Sequence, residues 1–231
     1  MFVIPKQPIP AVLVIMAVIQ FAAACDERCT VSDPCEASSS LEAIDAAEFS
    51  HVAAFEATNY EGVTPLMQLD HWQLRQQIAG PEWQVLAQGG DRDLSKLTDA
   101  ERQQLANAPV VDGFTLDCQP STCKRHFISL VRDSVKVWAR PADAIKFLGG
   151  IDTETEAVLV ARAHGFAFSP TDKRLGGVLR IGDDFLLLAF KTTRICDPIE
   201  TTRYLLKVVQ GATLSELGSG VTSRRDGCFV I

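Results

Sequence analysis

Hydrophobic and polar residues follow two different periods along this chain, and the two periods predict both helices and strands. In the first half, apolar residues recur mainly at helical spacing. We predict three helices there, over residues 41–57, 70–79 and 98–108, with a short strand at 83–87. Ser39 with Glu42, and Thr98 with Glu101, have the spacing of a capping box, in which two side chains close the first turn of a helix.

The second half of the chain has clearer signals. Residues 127–138 are typical of β structure and form either one bent strand or a hairpin around Asp133 and Ser134. A short helix is predicted from Pro141, because proline fits the first helical turn. Gly149 then supplies the C-terminal stop of that helix.

The last part of the chain predicts a helix followed by an antiparallel meander. Thr153 and Glu156 have capping-box spacing at the start of a nearly all-apolar helix over residues 154–164. Four β segments follow, at 176–181, 185–194, 201–209 and 213–221. This order predicts an α+β fold, with the antiparallel sheet packed against helices and a more helical N-terminal part. The layout over about residues 152–223 resembles that of PepSY-type and cystatin-like exported domains.

Length and composition indicate a globular protein and exclude one class of partner. Of its 231 residues 47% are hydrophobic, enough for a proper core. The formal net charge is −7 and no Lys/Arg block occurs, so we predict no nucleic-acid partner. We divide the chain into a leader, a polar tether, a helical part and an α+β part, at 1–24, 25–40, 41–116 and 117–231. One continuous domain over 41–231 is the alternative.

The first residues have the parts of a secretory signal: a head carrying Lys6, an apolar run over residues 9–24, and small residues before Cys25. The run would span roughly 24 Å as a helix at ~1.5 Å per residue, shorter than the ~30 Å hydrocarbon core of a membrane. Cleavage is therefore favoured over a permanent membrane span. The Ala-Ala-Ala-Cys junction resembles a bacterial lipobox, which implies that Cys25 is acylated and binds the lipid bilayer.

Two alternatives remain open for this junction. Ala22 and Ala24 also fit the ordinary signal peptidase, which would release a secreted protein, and an uncleaved anchor is the third reading. In each case the domain lies outside the cytoplasm. We expect a lipid-anchored protein of the cell membrane or outer membrane, with its periplasmic or surface orientation left open.

The cysteines support an exported location. The chain has seven, and an odd number in an exported protein suggests that one has a separate role. With Cys25 acylated, six remain, an even set that suits disulfides in an oxidising compartment. Proximity in sequence predicts the pairs Cys29–Cys35, Cys118–Cys123 and Cys196–Cys228. A metal site is disfavoured, because none of these spacings is Cys-x-x-Cys.

Catalytic and metal-binding motifs are not apparent, so we predict no catalytic residue, no metal and no cofactor. Glu48 and His51 have helical spacing but lack a second ligand pair. A free Cys118 or Cys123 beside His126 would be a thiolate nucleophile, which competes with the predicted bridge. Three acidic pairs could hide a glycosidase site, namely Asp91/Asp93, Glu154/Glu156 and Asp183/Asp184.

These observations predict a membrane-anchored lipoprotein of the cell envelope with a non-catalytic binding or interaction domain, which binds another envelope protein or a small ligand. Two alternatives stay open. One is an envelope hydrolase with an unrecognised site. The other is an exported protein inhibitor, which a PepSY-like or cystatin-like sheet would permit.

Overall fold

The computed structural model describes residues 41, 44–52, 60–78, 82–109, 112–114 and 123–228. Its strands are β1 (Ser50–His51), β2 (His71–Ile78), β3 (Trp83–Gly89), β4 (Cys123–Val131), β5 (Ser134–Trp138), β6 (Gly177–Ile181), β7 (Asp184–Ile195), β8 (Ile199–Val208) and β9 (Leu214–Arg225). Its α-helices are α1 (Asp99–Ala106), α2 (Pro141–Leu148) and α3 (Glu154–Ala163). None of the described helices has the length and apolar character needed to cross a bilayer.

The strands form two antiparallel sheets. One has four strands in the order β3-β2-β4-β5, and the other has five in the order β1-β6-β7-β8-β9. The predicted α+β class and the predicted C-terminal meander, β6 to β9, are both confirmed. Strands from both sides of residue 117 share the four-stranded sheet, since β2 and β3 precede it and β4 and β5 follow it.

One hydrophobic core joins the two sheets through α2 and α3. Helix α2 contacts β4, β5 and α3, while α3 contacts β6, β7 and β8. All residues of α3 from Thr155 to Ala163 are buried, as expected for a helix enclosed on every side. Phe147 of α2 stacks on Phe127 of β4, with ring centroids 4.1 Å apart, and so fixes the helix against the four-stranded sheet.

Several predicted boundaries are confirmed. Both capping boxes in the described residues are formed, Thr98 with Glu101 in front of α1 and Thr153 with Glu156 in front of α3. The segment 127–138 belongs to the β4–β5 hairpin, so the hairpin alternative is correct. The turn residues between these two strands, Arg132 and Asp133, both have positive φ, as a tight two-residue hairpin requires.

The predicted helix over 70–79 is wrong across its described residues, because His71–Ile78 form strand β2. Gln, Arg and Leu favour helices intrinsically, but His71, Trp72 and the residues after them alternate between the two faces of the sheet. Both faces of β2 are covered, so four of its polar side chains are buried and give no solvent-facing signal, namely His71, Gln73, Arg75 and Gln76. Packing in the sheet therefore outweighs local propensity here.

The predicted helix over 41–57 is also wrong across its described residues. Residues Ala46–Glu48 form one 3-10 turn, and β1 follows and pairs with β6. Phe49 is buried at this point, where a Cβ on Gly177 would come within 2.9 Å of the Phe49 Cβ. The N-terminal described part is accordingly built mainly of strands, and the expectation that it is more helical is corrected. Residues 42–43 and 53–57, with the Ser39–Glu42 capping box, lie outside the described residues.

Candidate functional site

The predicted site residues fall into two groups. Cys25, Cys29, Cys35 and Cys118 lie outside the described residues. Cys123 begins β4, but its side chain belongs to the part that the structure does not describe. The lipidation site and the first two predicted bridges therefore remain predictions.

Cys196 and Cys228, the third of the predicted pairs, lie side by side with Cα atoms 4.1 Å apart, close enough for a disulfide. Strands β7 and β9 are neighbours of β8 on its two sides, and β8 begins only at Ile199. Beyond that residue nothing separates the outer strands, and the two cysteines form a β-bridge with each other. A disulfide here would close the exposed end of a three-stranded ribbon. The two sulfurs also lie within 4.8 Å of an Asp197 carboxylate oxygen, and once bonded to each other they would not be free to bind a metal with it.

The described residues form a cleft beside the edge strand β3. It has a volume of about 510 Å³ and lies between the loop at residues 60–63 and the strand. Trp72, Leu86 and Ala87 supply much of its apolar lining, and Val85 borders it. The edge of β3 that faces away from β2 pairs with no strand among the described residues, so backbone donors and acceptors border the cleft.

The loop wall of this cleft is held rigidly by the N-terminus of α3. Thr153 and Thr155 donate their hydroxyl protons to the carbonyls of Gly62 and Glu61, over 3.0 and 2.9 Å. The buried carboxylate of Glu156 accepts from the Thr64 amide at 2.8 Å and also closes the capping box. The same residues that start α3 therefore fix the cleft, and the cleft is preformed.

Trp72 forms the floor of the cleft and is tied to the core. Its ring lies edge-on to those of Phe127 and Phe147, with centroid distances of 6.3 and 5.9 Å. A Cβ on Gly89 would come within 2.9 Å of the Trp72 Nε1 atom, so only glycine allows β3 to approach the indole this closely. The floor is consequently as fixed as the wall.

A ladder of buried polar side chains lies on the opposite face of the four-stranded sheet. His71, Gln73 and Arg75 occupy alternate positions of β2 and share this face. The Arg92 carbonyl can only accept, so the His71 Nδ1 atom donates to it at 3.0 Å, and Nε2 accepts from the Gln73 amide at 3.2 Å. Burial lowers the pKa of His71, which fits this neutral tautomer.

The ladder continues to the helix that covers it. The Arg75 Nε atom donates to the Gln73 side-chain oxygen at 2.8 Å, and Nη1 donates to the Leu105 carbonyl of α1 at 2.9 Å. Arg75 is buried and makes no ion pair with any described carboxylate. The ladder therefore joins α1 and the loop at Arg92 to the sheet, which is a structural role.

His126 lies directly opposite Arg75 on β4 and is wholly buried. Neither of its ring nitrogens has a hydrogen-bond partner among the described residues, and the Trp83 ring meets it edge-on at a centroid distance of 4.3 Å. Burial, with a smaller contribution from the Arg75 charge, lowers the pKa of His126 to about 4. The imidazole is therefore neutral at physiological pH.

The remaining residues singled out by sequence have local structural partners. Glu48 lies in a 3-10 turn and His51 in β1, where the ring bonds the Ser169 carbonyl at 3.0 Å, so the two do not share a helical face. His164 ends α3 as predicted, but burial and then Lys191 lower its pKa, so a positive helix cap is not expected.

The acidic pairs are likewise distributed among turns and helix ends. Asp184 forms an ion pair with Lys207 at 2.7 Å, and Asp91 accepts from Gln68 at 2.8 Å. Glu156 is occupied by the loop that walls the cleft. Asp93 precedes a 3-10 turn at residues 94–96.

Sequence reasoning missed both the cleft and the polar ladder. Each depends on β2, which was assigned to a helix. The alternation of His71, Gln73 and Arg75 with Trp72 and Leu74 was the available signal, and it has period two.

Comparison of the chain with models of protein families, with curated proteins and with solved structures finds no match.

Proposed function

We propose that this protein is a cell-envelope lipoprotein, held at a membrane by acylated Cys25, whose folded part is a non-catalytic domain that binds an envelope protein. The export signal and the cysteine count support the location. The cleft beside β3 is the single observation that carries the binding role. Its walls are rigid and its open strand edge offers unpaired backbone groups.

These features suit an extended segment of a partner protein. A strand added to a sheet edge gains backbone hydrogen bonds, while alternate side chains enter neighbouring pockets. In the cleft, the apolar surface of Trp72 and Ala87 would receive one side chain. Glu61 is exposed on the wall and would favour a basic residue next to it.

The lining of the cleft favours binding over hydrolysis. Tyr60 and Glu61 are the ionisable side chains among its described lining residues. Glycosidases need two carboxyl groups across the bond that breaks, and hydrolases with a nucleophile need an adjacent base. A single exposed carboxylate provides neither arrangement. An inhibitor would also be a binding domain. The identity of the bound protein therefore distinguishes an inhibitor from a domain that binds some other envelope protein.

The test is site-specific photocrosslinking of the full chain in its bacterial host. A photoreactive residue replaces Val85, which borders the cleft on the edge strand and is 44% exposed, and in the control it replaces Ile181, which is 53% exposed on the β6–β7 hairpin. We expect a discrete adduct with an envelope protein from position 85 and none from position 181. Equal labelling from the two positions, or none from position 85, would refute a binding role for the cleft. A protease captured at position 85 would indicate the inhibitor.

A further inference from the structure

Strand β9 is a long open edge of the five-stranded sheet. Its twelve residues, Leu214–Arg225, pair with β8 on one side and with no described strand on the other. All of its side chains are exposed or half-buried. The opposite edge of the same sheet, β1, has only two residues. A long uncovered edge is a template for pairing with another strand, and proteins usually protect such edges.

The charges on β9 are arranged symmetrically about Gly220. We count positions by the β8 residue that each β9 residue pairs with, because β9 contains extra, bulged residues. On this count Glu216 lies three positions to one side of Gly220, and Arg224 lies three positions to the other side. One register shift falls on each side, so the two distances stay equal. An equal, odd number of steps also puts both charged side chains on the same face of the sheet.

We infer that β9 pairs with β9 of a second copy of this chain, antiparallel, about a two-fold axis at Gly220. This pairing places Glu216 of each copy directly opposite Arg224 of the other, on the same face. Directly opposed residues in an antiparallel pair have Cβ atoms about 5 Å apart, close enough for an ion pair. A two-fold axis makes this contact twice, as a self-complementary interface requires.

Both charged groups are available for this contact. Glu216 is exposed and makes no ion pair with the described residues. Arg224 bonds Glu200 through its Nε atom at 3.2 Å, and its side chain is 60% exposed, so its outer nitrogens can donate to a second carboxylate. At the centre, Gly218 and Gly220 carry no side chains that would hold the two strands apart.

The inference goes beyond the proposed function, because β9 and the cleft beside β3 belong to different sheets. It is tested with the full chain, co-expressed in two differently tagged copies and purified in detergent. One tag is captured and the amount of the other tag is measured. Wild type should co-purify. Glu216→Arg with itself, and Arg224→Glu with itself, should each lose about tenfold or more, because like charges then oppose each other twice.

The decisive arm mixes the two variants. A Glu216→Arg copy and an Arg224→Glu copy again present opposite charges in both contacts, so co-purification should return towards the wild-type level. Arg225→Glu is the matched control, since residue 225 lies on the other face of β9 and should leave co-purification unchanged.

The inference is overturned if wild type does not co-purify, if either self-paired variant binds like wild type, or if the mixed pair stays as low as the self-paired variants. The mixed pair also excludes misfolding as the cause of a loss, because misfolded copies would not regain binding together.

Discussion

The imidazole of His126 is enclosed in the four-stranded sheet, and neither ring nitrogen is hydrogen-bonded to the part of the chain that the structure describes. A buried polar group without a partner costs free energy, and protonating it beside Arg75 would cost more. The sheet therefore holds this histidine in its neutral form, with its pKa lowered to about 4 from an ordinary value of 6.5. At the residue scale this makes His126 a point at which acid destabilises the fold.

We expect His126→Leu to make stability less sensitive to acid. Between pH 6.5 and pH 4, His126 is protonated in the unfolded chain but stays neutral in the folded chain. The free energy of unfolding of the wild type therefore falls as the pH decreases towards 4. From the difference between the two pKa values, the loss that His126 contributes is on the order of 3 kcal/mol. Urea unfolding of both proteins at pH 7 and at pH 4 gives the comparison. Equal losses in the two proteins would show that His126 does not titrate in this way.

At the scale of elements, the N-terminus of α3 has two roles. Its capping box starts the helix, and the same threonines hold the loop wall of the cleft. The hydroxyl of Thr153 accepts from the Glu156 amide at 3.2 Å and donates to the Gly62 carbonyl at 3.0 Å. Helix start and cleft geometry are therefore coupled through one side chain.

Thr153→Ala should lower the free energy of unfolding by about 1–3 kcal/mol, because it removes the helix cap and the bond to the loop together. Thr153→Ser retains the hydroxyl and should lose well under half as much. Chemical denaturation monitored by circular dichroism measures both. If alanine and serine have the same effect, the hydroxyl contributes nothing and the loss comes from the methyl group.

Local signals predicted those elements whose boundaries are set by local chemistry. Thr153 with Glu156 caps a helix in any context, and Gly149 and Gly165 both adopt the positive φ that ends a helix. The meander followed from turn residues between β-rich runs. Such features depend on neighbours in sequence, and so they were predictable.

Strand β2 depends instead on contacts that are distant in sequence. Its Gln and Arg residues favour a helix locally, and they are buried only because α1 covers one face of the sheet and the core covers the other. The cleft is hard to predict for the same reason. Trp72, its floor, lies on β2, and the loop that forms the wall of the cleft is fixed by residues about 90 positions away in the sequence. No local pattern encodes such a pairing, so the candidate site could not be predicted.

At the scale of the whole molecule, the two sheets have different open edges. The four-stranded sheet exposes β3 beside a rigid cleft, and the five-stranded sheet exposes β9 with its symmetric charges. A protein that pairs with itself along one edge keeps the other edge free for a partner. Two copies at a membrane would then present two clefts, and a partner with two binding segments would be held more firmly than by either cleft alone.

Attachment to the membrane through Cys25 is the remaining prediction for the whole molecule. Expressed in a bacterial host, the wild type should partition into the detergent phase and carry acyl mass on an N-terminal Cys25, because several buried acyl chains stabilise membrane binding at about 0.8 kcal/mol per CH₂. Cys25→Ala removes the acylated sulfur, so the variant should move to the aqueous phase or keep an uncleaved leader.

Cys29→Ala is the matched control, since it removes a nearby cysteine and should leave the acyl mass in place. Mass spectrometry of the N-terminal peptide, together with phase partitioning, measures both effects. A wild-type product that is soluble and unmodified at Cys25 would instead indicate cleavage by the ordinary signal peptidase, and the domain would then act as a secreted protein.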